Sequence, residues 1–257
     1  SKGSMKRPDP LPTSASHPVV TPLSPSVVFA SETPDELDAQ YEGRVQGYTY
    51  SREGHPNADV VAKRLDAMEG MSGGIVTSSG MAAVSAVVFG LLKAGDHVIG
   101  ANQLYGRSLR LMKEDLPRLG MSTSLVDPGD VQAVKAEIKP ETKMILVEVV
   151  SNPTLSVADI KGLAKLCEQE GILFVVDNTF TTPRGFRPFD HGADIVFHSI
   201  TKLLAGHSDV MLGYAVARDQ AINDQMRVFA ITTGMTPSPF DCWLAERGML
   251  SFELRFD

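Results

Sequence analysis

Cysteine is scarce. Cys167 and Cys242 lie far apart and neither belongs to a CxxC pair. A disulfide framework or a zinc ribbon needs more thiols at closer spacing, so the chain reads as one suited to a reducing compartment, the cytoplasm. No run of about 18 apolar residues exists to form a membrane span, and the N-terminal region lacks the apolar core of an export signal. Basic charge is in deficit: 24 Lys and Arg against 31 Asp and Glu leave a net charge of −7. With no compact Lys/Arg cluster, neither nucleic acid nor an acidic membrane is expected as a partner. His17, His55, His97, His191, His198 and His207 show no HExxH or other metal-ligand spacing, so they read as structural or surface residues and no metal is expected. There is no GxGxxG and no GxxxxGK[ST], which argues against dinucleotide and P-loop sites.

What is present is a core. Of 257 residues, 43% are hydrophobic and 21% charged, enough for one large or two modest domains. Ser1–Ser4, ahead of Met5, read as an expression remnant. Residues 1–47, rich in Pro, Ser and Thr, read as an extended arm reaching a neighbouring subunit. Residues 48–257 read as a large α/β domain. Val61, Leu65 and Met68 at helical spacing predict a helix over 57–70. Apolar, β-branched runs at 75–77, 97–101, 124–127, 144–149, 173–177, 194–198 and 212–216 then predict strands. Amphipathic segments at 80–93, 107–118, 131–138, 157–170 and 220–229 predict helices between and after them. Such alternation gives a mostly parallel sheet sandwiched by helices, with ligands at the strand ends.

Three strand ends carry residues with chemical potential. Thr77-Ser78-Ser79-Gly80-Met81 opens a helix whose free N–H groups and dipole suit a phosphate, although an ordinary capped start reads equally well. Val175-Val176-Asp177-Asn178-Thr179-Phe180 ends an apolar run in a carboxylate, placed either to pair with a protonated ring nitrogen or to make a turn. Phe197-His198-Ser199-Ile200-Thr201-Lys202 sets a lysine beyond another apolar run, with two hydroxyls beside it. A lysine with a depressed pKa forms Schiff bases, while most lysines after strands are simply solvated. Tyr105 offers a ring for stacking on a flat cofactor. Tyr50 and Arg52 offer a phosphate clamp, and all three also have plain packing or surface readings.

Taken in order, Tyr50-Ser51-Arg52, Ser79-Gly80-Met81, Leu104-Tyr105-Gly106, Ser151-Asn152-Pro153-Thr154, Val176-Asp177-Asn178-Thr179-Phe180, His198-Ser199-Ile200-Thr201-Lys202 and Ser238-Pro239-Phe240-Asp241 form a series. From about Tyr48 to about Gly248 the chain thereby resembles the Cys/Met metabolism (transsulfuration) family of pyridoxal-phosphate enzymes, cystathionine γ-synthase, γ-lyase and β-lyase among them. The resemblance implies the type I, aspartate-aminotransferase-like fold and pyridoxal 5'-phosphate (PLP) as cofactor. Lys202 would hold PLP as a Schiff base and shuttle protons. Asp177, with Thr179 in the same motif, would serve the ring nitrogen, Tyr105 would stack on the ring, and Asn152 would sit near its phenolic oxygen. The amides of Gly80 and Met81 and the hydroxyls of Ser199 and Thr201 would hold the phosphate. Tyr50 and Arg52 would complete a neighbour's phosphate site in a homodimer or homotetramer. The implied reaction removes the α-proton of a small amino acid, then eliminates or replaces a group at the β or γ carbon. Cystathionine, methionine, cysteine and O-acylhomoserine are the implied substrates.

Members of that family continue past the Ser-Pro-Phe helix into a smaller C-terminal domain, which supplies an arginine for the substrate carboxylate. This sequence stops at Asp257, and Arg255 comes too early in the pattern for that role, so that domain is expected to be missing from it. Gly54-His55-Pro56-Asn57 stands where the family usually has Gly-Asn-Pro-Thr, with Asn57 still offering a helix cap. Arg107 replaces the cysteine typical of methionine γ-lyases. The short length also motivates a second reading, a catalytically silent PLP-binding or scaffold homologue. A third, an oxidoreductase on a Rossmann-like sheet, lacks the Gly-rich loop it needs.

Overall fold

The computed structural model describes residues 14–257; the first 13 residues of the expected arm lie outside the described residues. The rest of the arm is fastened to its own chain. Trp243 Nε1 donates to Thr21 O (2.8 Å), Thr21 Oγ1 to Glu246 (2.6 Å) and Asn57 Nδ2 to Pro22 O (3.0 Å). The arm is not extended throughout, because α1 (Pro34–Tyr41) interrupts it. Thr33 caps that helix by accepting from Glu36 N, Pro34 stands at its first position, and Asp35 and Glu36 fill its first turn. These local start signals outweigh the Pro/Ser-rich composition.

Helix α2 (Pro56–Glu69) begins as expected but with a different cap. His55 takes that position, Nδ1 accepting from Ala58 N (3.2 Å) and Nε2 facing Pro237 O (3.0 Å). Asn57 instead turns its amide to the arm. Gly70 ends the helix in the left-handed region, φ 72°.

Seven strands form one sheet: β1 (Ile75–Thr77), β2 (His97–Ala101), β3 (Ser122–Val126), β4 (Thr142–Glu148), β5 (Leu173–Asp177), β6 (Ile195–Ser199) and β7 (Gly213–Ala217). Their order is β1-β7-β6-β5-β4-β2-β3. Only β7 runs against its neighbours β1 and β6, and the other pairs are parallel, so the sheet is mostly parallel as expected. Its central strands are buried on both faces, which is why they read as unbroken apolar runs.

Helices α3 (Gly80–Leu91), α6 (Val131–Ala136), α7 (Ile160–Glu170) and α9 (Gln220–Thr232) match expected segments. Of these α3 is apolar nearly all round, because it is wedged between the sheet and α9. The single helix expected over 107–118 is instead α4 (Gly106–Arg110), a π-helical turn at Leu111–Asp115 and α5 (Leu116–Arg118). Pro117 explains the difference: it has no N–H to offer Lys113 O and its ring crowds that carbonyl, so the preceding turn widens. Short helices α8 (Thr182–Gly185), α10 (Pro239–Leu250) and α11 (Phe252–Phe256) complete the order. Among the described residues no helix is long and apolar enough to cross a membrane.

From β2 the chain runs out to β3 at the sheet edge and returns to pair β4 on the other side of β2. The connections leaving β2 and β4 therefore diverge, and a crevice opens at the carboxyl ends of the strands.

Candidate active site

That crevice is part of a cavity of about 370 Å³. Its wall is built from the residues that end or follow β1, β2, β4, β5 and β6. Gly80 and Met81 line it after β1, Tyr105 after β2, Asn152 after β4, Asp177 and Thr179 at the end of β5, and Ser199, Thr201 and Lys202 at the end of β6. The structure thus brings together nine of the eleven expected site residues.

At the start of α3, Ser79 caps through both oxygens. Oγ accepts from Ala82 N (3.0 Å) and the carbonyl from Ala83 N (3.0 Å). The amides of Gly80 and Met81 have no partner among the described residues, so the helix start is capped yet leaves two N–H groups open. Gly80 allows the close approach to β6, since a Cβ there would lie 2.7 Å from Ser199 Cβ.

Of the two readings of Asp177, the structure shows the turn. Asp177 Oδ1 makes it, accepting from Thr179 N (2.9 Å) and Thr179 Oγ1 (2.5 Å), and Thr179 Oγ1 accepts in turn from Ser199 N (2.9 Å). Oδ2 takes no hydrogen bond from the described residues. Burial pushes the Asp177 carboxyl above the usual range, while the Thr179 donors and nearby His198 pull the other way. His198 is fully buried, its Nε2 2.5 Å from Glu69 Oε1 at the end of α2, and Asn178 Nδ2 donates to the same oxygen (3.2 Å).

Lys202 is exposed in the turn after β6, with no carboxylate in ion-pair contact among the described residues. Arg255 braces this turn, donating to Leu203 O (2.8 Å) and Leu204 O (3.0 Å). The Thr201 hydroxyl is already engaged with Leu212 N (3.1 Å) and Leu212 O (3.3 Å), which leaves Ser199 as the freer hydroxyl. Tyr50 and Arg52 lie apart from the cavity. Arg52 donates to Ile231 O (3.2 Å), stands 5.3 Å over the Tyr50 ring and lines a separate cleft of about 60 Å³.

The sequence reading missed Glu148, Phe180 and Met211 in the cavity wall. Glu148 ends β4 in register with Asp177 and accepts from Tyr105 N at 2.5 Å. Burial, then the charge of Asp177, pushes its carboxyl up to about 7. Phe180 and Met211 give the cavity exposed apolar edges.

Comparison with known proteins adds three likenesses. The chain is 36% identical to the L-methionine gamma-lyase of Porphyromonas gingivalis (strain ATCC BAA-308 / W83), over 93% of this chain and 60% of that protein. It is 42% identical to the cystathionine beta-lyase MetC of Bacillus subtilis (strain 168), over 82% of this chain and 54% of that one. It superposes on the crystal structure of metY from Campylobacter jejuni subsp. jejuni NCTC 11168 with a TM-score of 0.85 at 26% identity. That superposition covers 91% of this chain and 66% of that one, which carries an N'-pyridoxyl-lysine-5'-monophosphate. The chain spans about 60% of the length of such relatives. A family model described as Cys/Met metabolism PLP-dependent enzyme matches residues 7–257, nearly the whole chain, with the lysine, the aspartate and the glycine-opened helix around one cavity. The chain belongs to the Cys/Met metabolism family of PLP-dependent enzymes.

Proposed function

We propose that the protein is a PLP-dependent carbon–sulfur lyase or γ-replacement enzyme, acting on cystathionine, methionine, cysteine or an O-acylhomoserine. The observation that carries the reading is the convergence of the Gly80 and Met81 amides, Asp177 and Lys202 on one cavity at the strand ends. These groups fit the cofactor. Two unpartnered amides at the start of a 12-residue helix suit a phosphate dianion, an unpartnered carboxylate oxygen suits a protonated ring nitrogen, and an amine free of acid partners suits a carbonyl carbon.

When bound, PLP supplies an electron sink that makes a substrate Cα–H bond breakable. Gly80, Met81 and Ser199 would hold its phosphate, and Asp177 Oδ2 would keep its ring nitrogen protonated. Thr179 fixes the Asp177 carboxylate by holding Oδ1. Tyr105 would stack on the ring and Asn152 would hold its phenolic oxygen, both lining the cavity. Lys202 Nζ would hold the cofactor's carbonyl carbon in the resting site, and its amine would take the α-proton and deliver it to another substrate carbon. Tyr50 and Arg52, remote from this chain's own cavity, act in a neighbour's site, within a cytoplasmic homodimer or homotetramer.

The test is product release by the full-length protein with PLP across that panel, scored as free thiol and 2-oxo acid from the sulfur substrates and, with an added thiol, as released carboxylate and new thioether from the O-acylhomoserine. Lys202→Ala is expected to lower turnover at least about hundredfold, the scale of one general acid–base group. Undiminished turnover in that variant, or no PLP-dependent turnover of any of these substrates by the wild type, would contradict the reading.

A further inference from the structure

We infer that Glu148 is a positioning residue of this site: one buried carboxylate fastens the loop bearing Tyr105 to the end of β4, beside Asp177 and next to the loop bearing Asn152. The inference rests on the reading of the cavity as a PLP site.

Glu148 Oε1 accepts from Tyr105 N at 2.5 Å, and the nearby backbone N–H of Asn152 favours the charged form of this carboxylate. Tyr105 begins α4 with no side-chain cap of its own, so the carboxylate satisfies an amide that a helix start leaves open. Tyr105 and Asn152 arrive from different crossovers, and a second stitch, Ser151 Oγ to Gln103 Oε1 (3.3 Å), joins the same two loops away from the strand. Glu148 and Asp177 are register partners on parallel strands, so their side chains leave the sheet on the same face. A second carboxylate beside a buried one is costly, through desolvation and like charge. Glutamine would make the same contacts without that repulsion, so the charge itself has a use. When ionised, the carboxylate makes a charge-assisted bond to the Tyr105 amide, about twice as strong as a neutral one. The ionisable groups that share the cavity with it are Asp177 on β5, the Tyr105 hydroxyl and Lys202 after β6, with His198 near Asp177.

The experiment measures the PLP dissociation constant of the full-length protein on both sides of pH 7, by absorbance titration, for wild type, Glu148→Gln and Glu148→Ala. Circular dichroism monitors the fold. Removing both acceptor oxygens is expected to weaken PLP binding about tenfold or more, the scale on which groups that orient ligands act. Glu148→Gln keeps an acceptor and is expected to restore most of that loss. Wild type is expected to change affinity across pH 7, and Glu148→Gln to reduce that change, a readout that a packing role would leave unmoved. Glu148→Ala binding PLP as wild type does, or Glu148→Gln retaining the wild-type pH dependence, overturns the inference alone. Failure of wild type to bind PLP at all overturns the reading of the site beneath it.

Discussion

Glu148 also bears on stability. Its carboxyl is pushed from 4.5 to about 7 in the fold, so between those values the folded chain binds more protons than the unfolded one. Stability therefore falls as pH rises through that window, by at most about 3 kcal/mol from this group. Below the window both states are protonated and above it both are ionised, so the contribution is flat there. Asp177, also raised by burial, adds a slope of the same sign. Urea midpoints of Glu148→Gln, taken on either side of the window, are expected to differ by less than those of wild type; an equal difference would show that the buried charge has no such cost. Asp177 stood out in the sequence because it ends an apolar run directly, where a strand end must lie, and Lys202 through its place in the ordered motif series a few residues beyond another such run. Glu148 did not, since Val147-Glu148-Val149-Val150 reads as one more buried run. Only pairing with β5 shows a second acid beside Asp177. The contact between His198 and Glu69 was hidden for the same reason, being made across 129 positions of sequence.

The start of α3 decides what the cavity can hold. Gly80→Ala places a methyl 2.7 Å from Ser199 Cβ, so the helix start must retreat from β6. The fold is expected to survive at a cost of about 1–3 kcal/mol, typical of overpacking. PLP affinity should fall by about tenfold or more, since roughly 1.4 kcal/mol of lost phosphate contact suffices for that. Melting curves and PLP titration check the two halves, and unaltered affinity would remove α3 from the phosphate site. At this scale the strands were the most legible elements: β1, β2 and β5 have the expected ends and the rest shift by one or two residues, because β-branched runs bounded by turns define themselves locally. The misses have local physical causes. Thr33-Pro34-Asp35-Glu36 is a strong helix start inside a segment judged by its composition. Pro117 sits late enough in its helix to be absorbed by a π turn. His55 rather than Asn57 became the cap of α2 because its ring can also reach Pro237 O.

Across the whole molecule, sheet order places the chemistry. With β3 at one edge and β4 on the inner side of β2, the residues after β2 and β4 converge with those after β1, β5 and β6. Fold class was legible from the alternation of runs, since buried parallel strands and amphipathic helices have distinct periods. Strand order was not, because it depends on which crossovers pass over which strands. The positions of Tyr50 and Arg52, outside this chain's cavity, place their proposed role at the level of assembly rather than of the single chain. The central claim, that this cavity holds PLP on Lys202, is tested most directly by borohydride reduction of the PLP-treated full-length protein followed by peptide mapping. A pyridoxyl group on Lys202 is the predicted result; an unlabelled protein, or a label on another lysine, would contradict it.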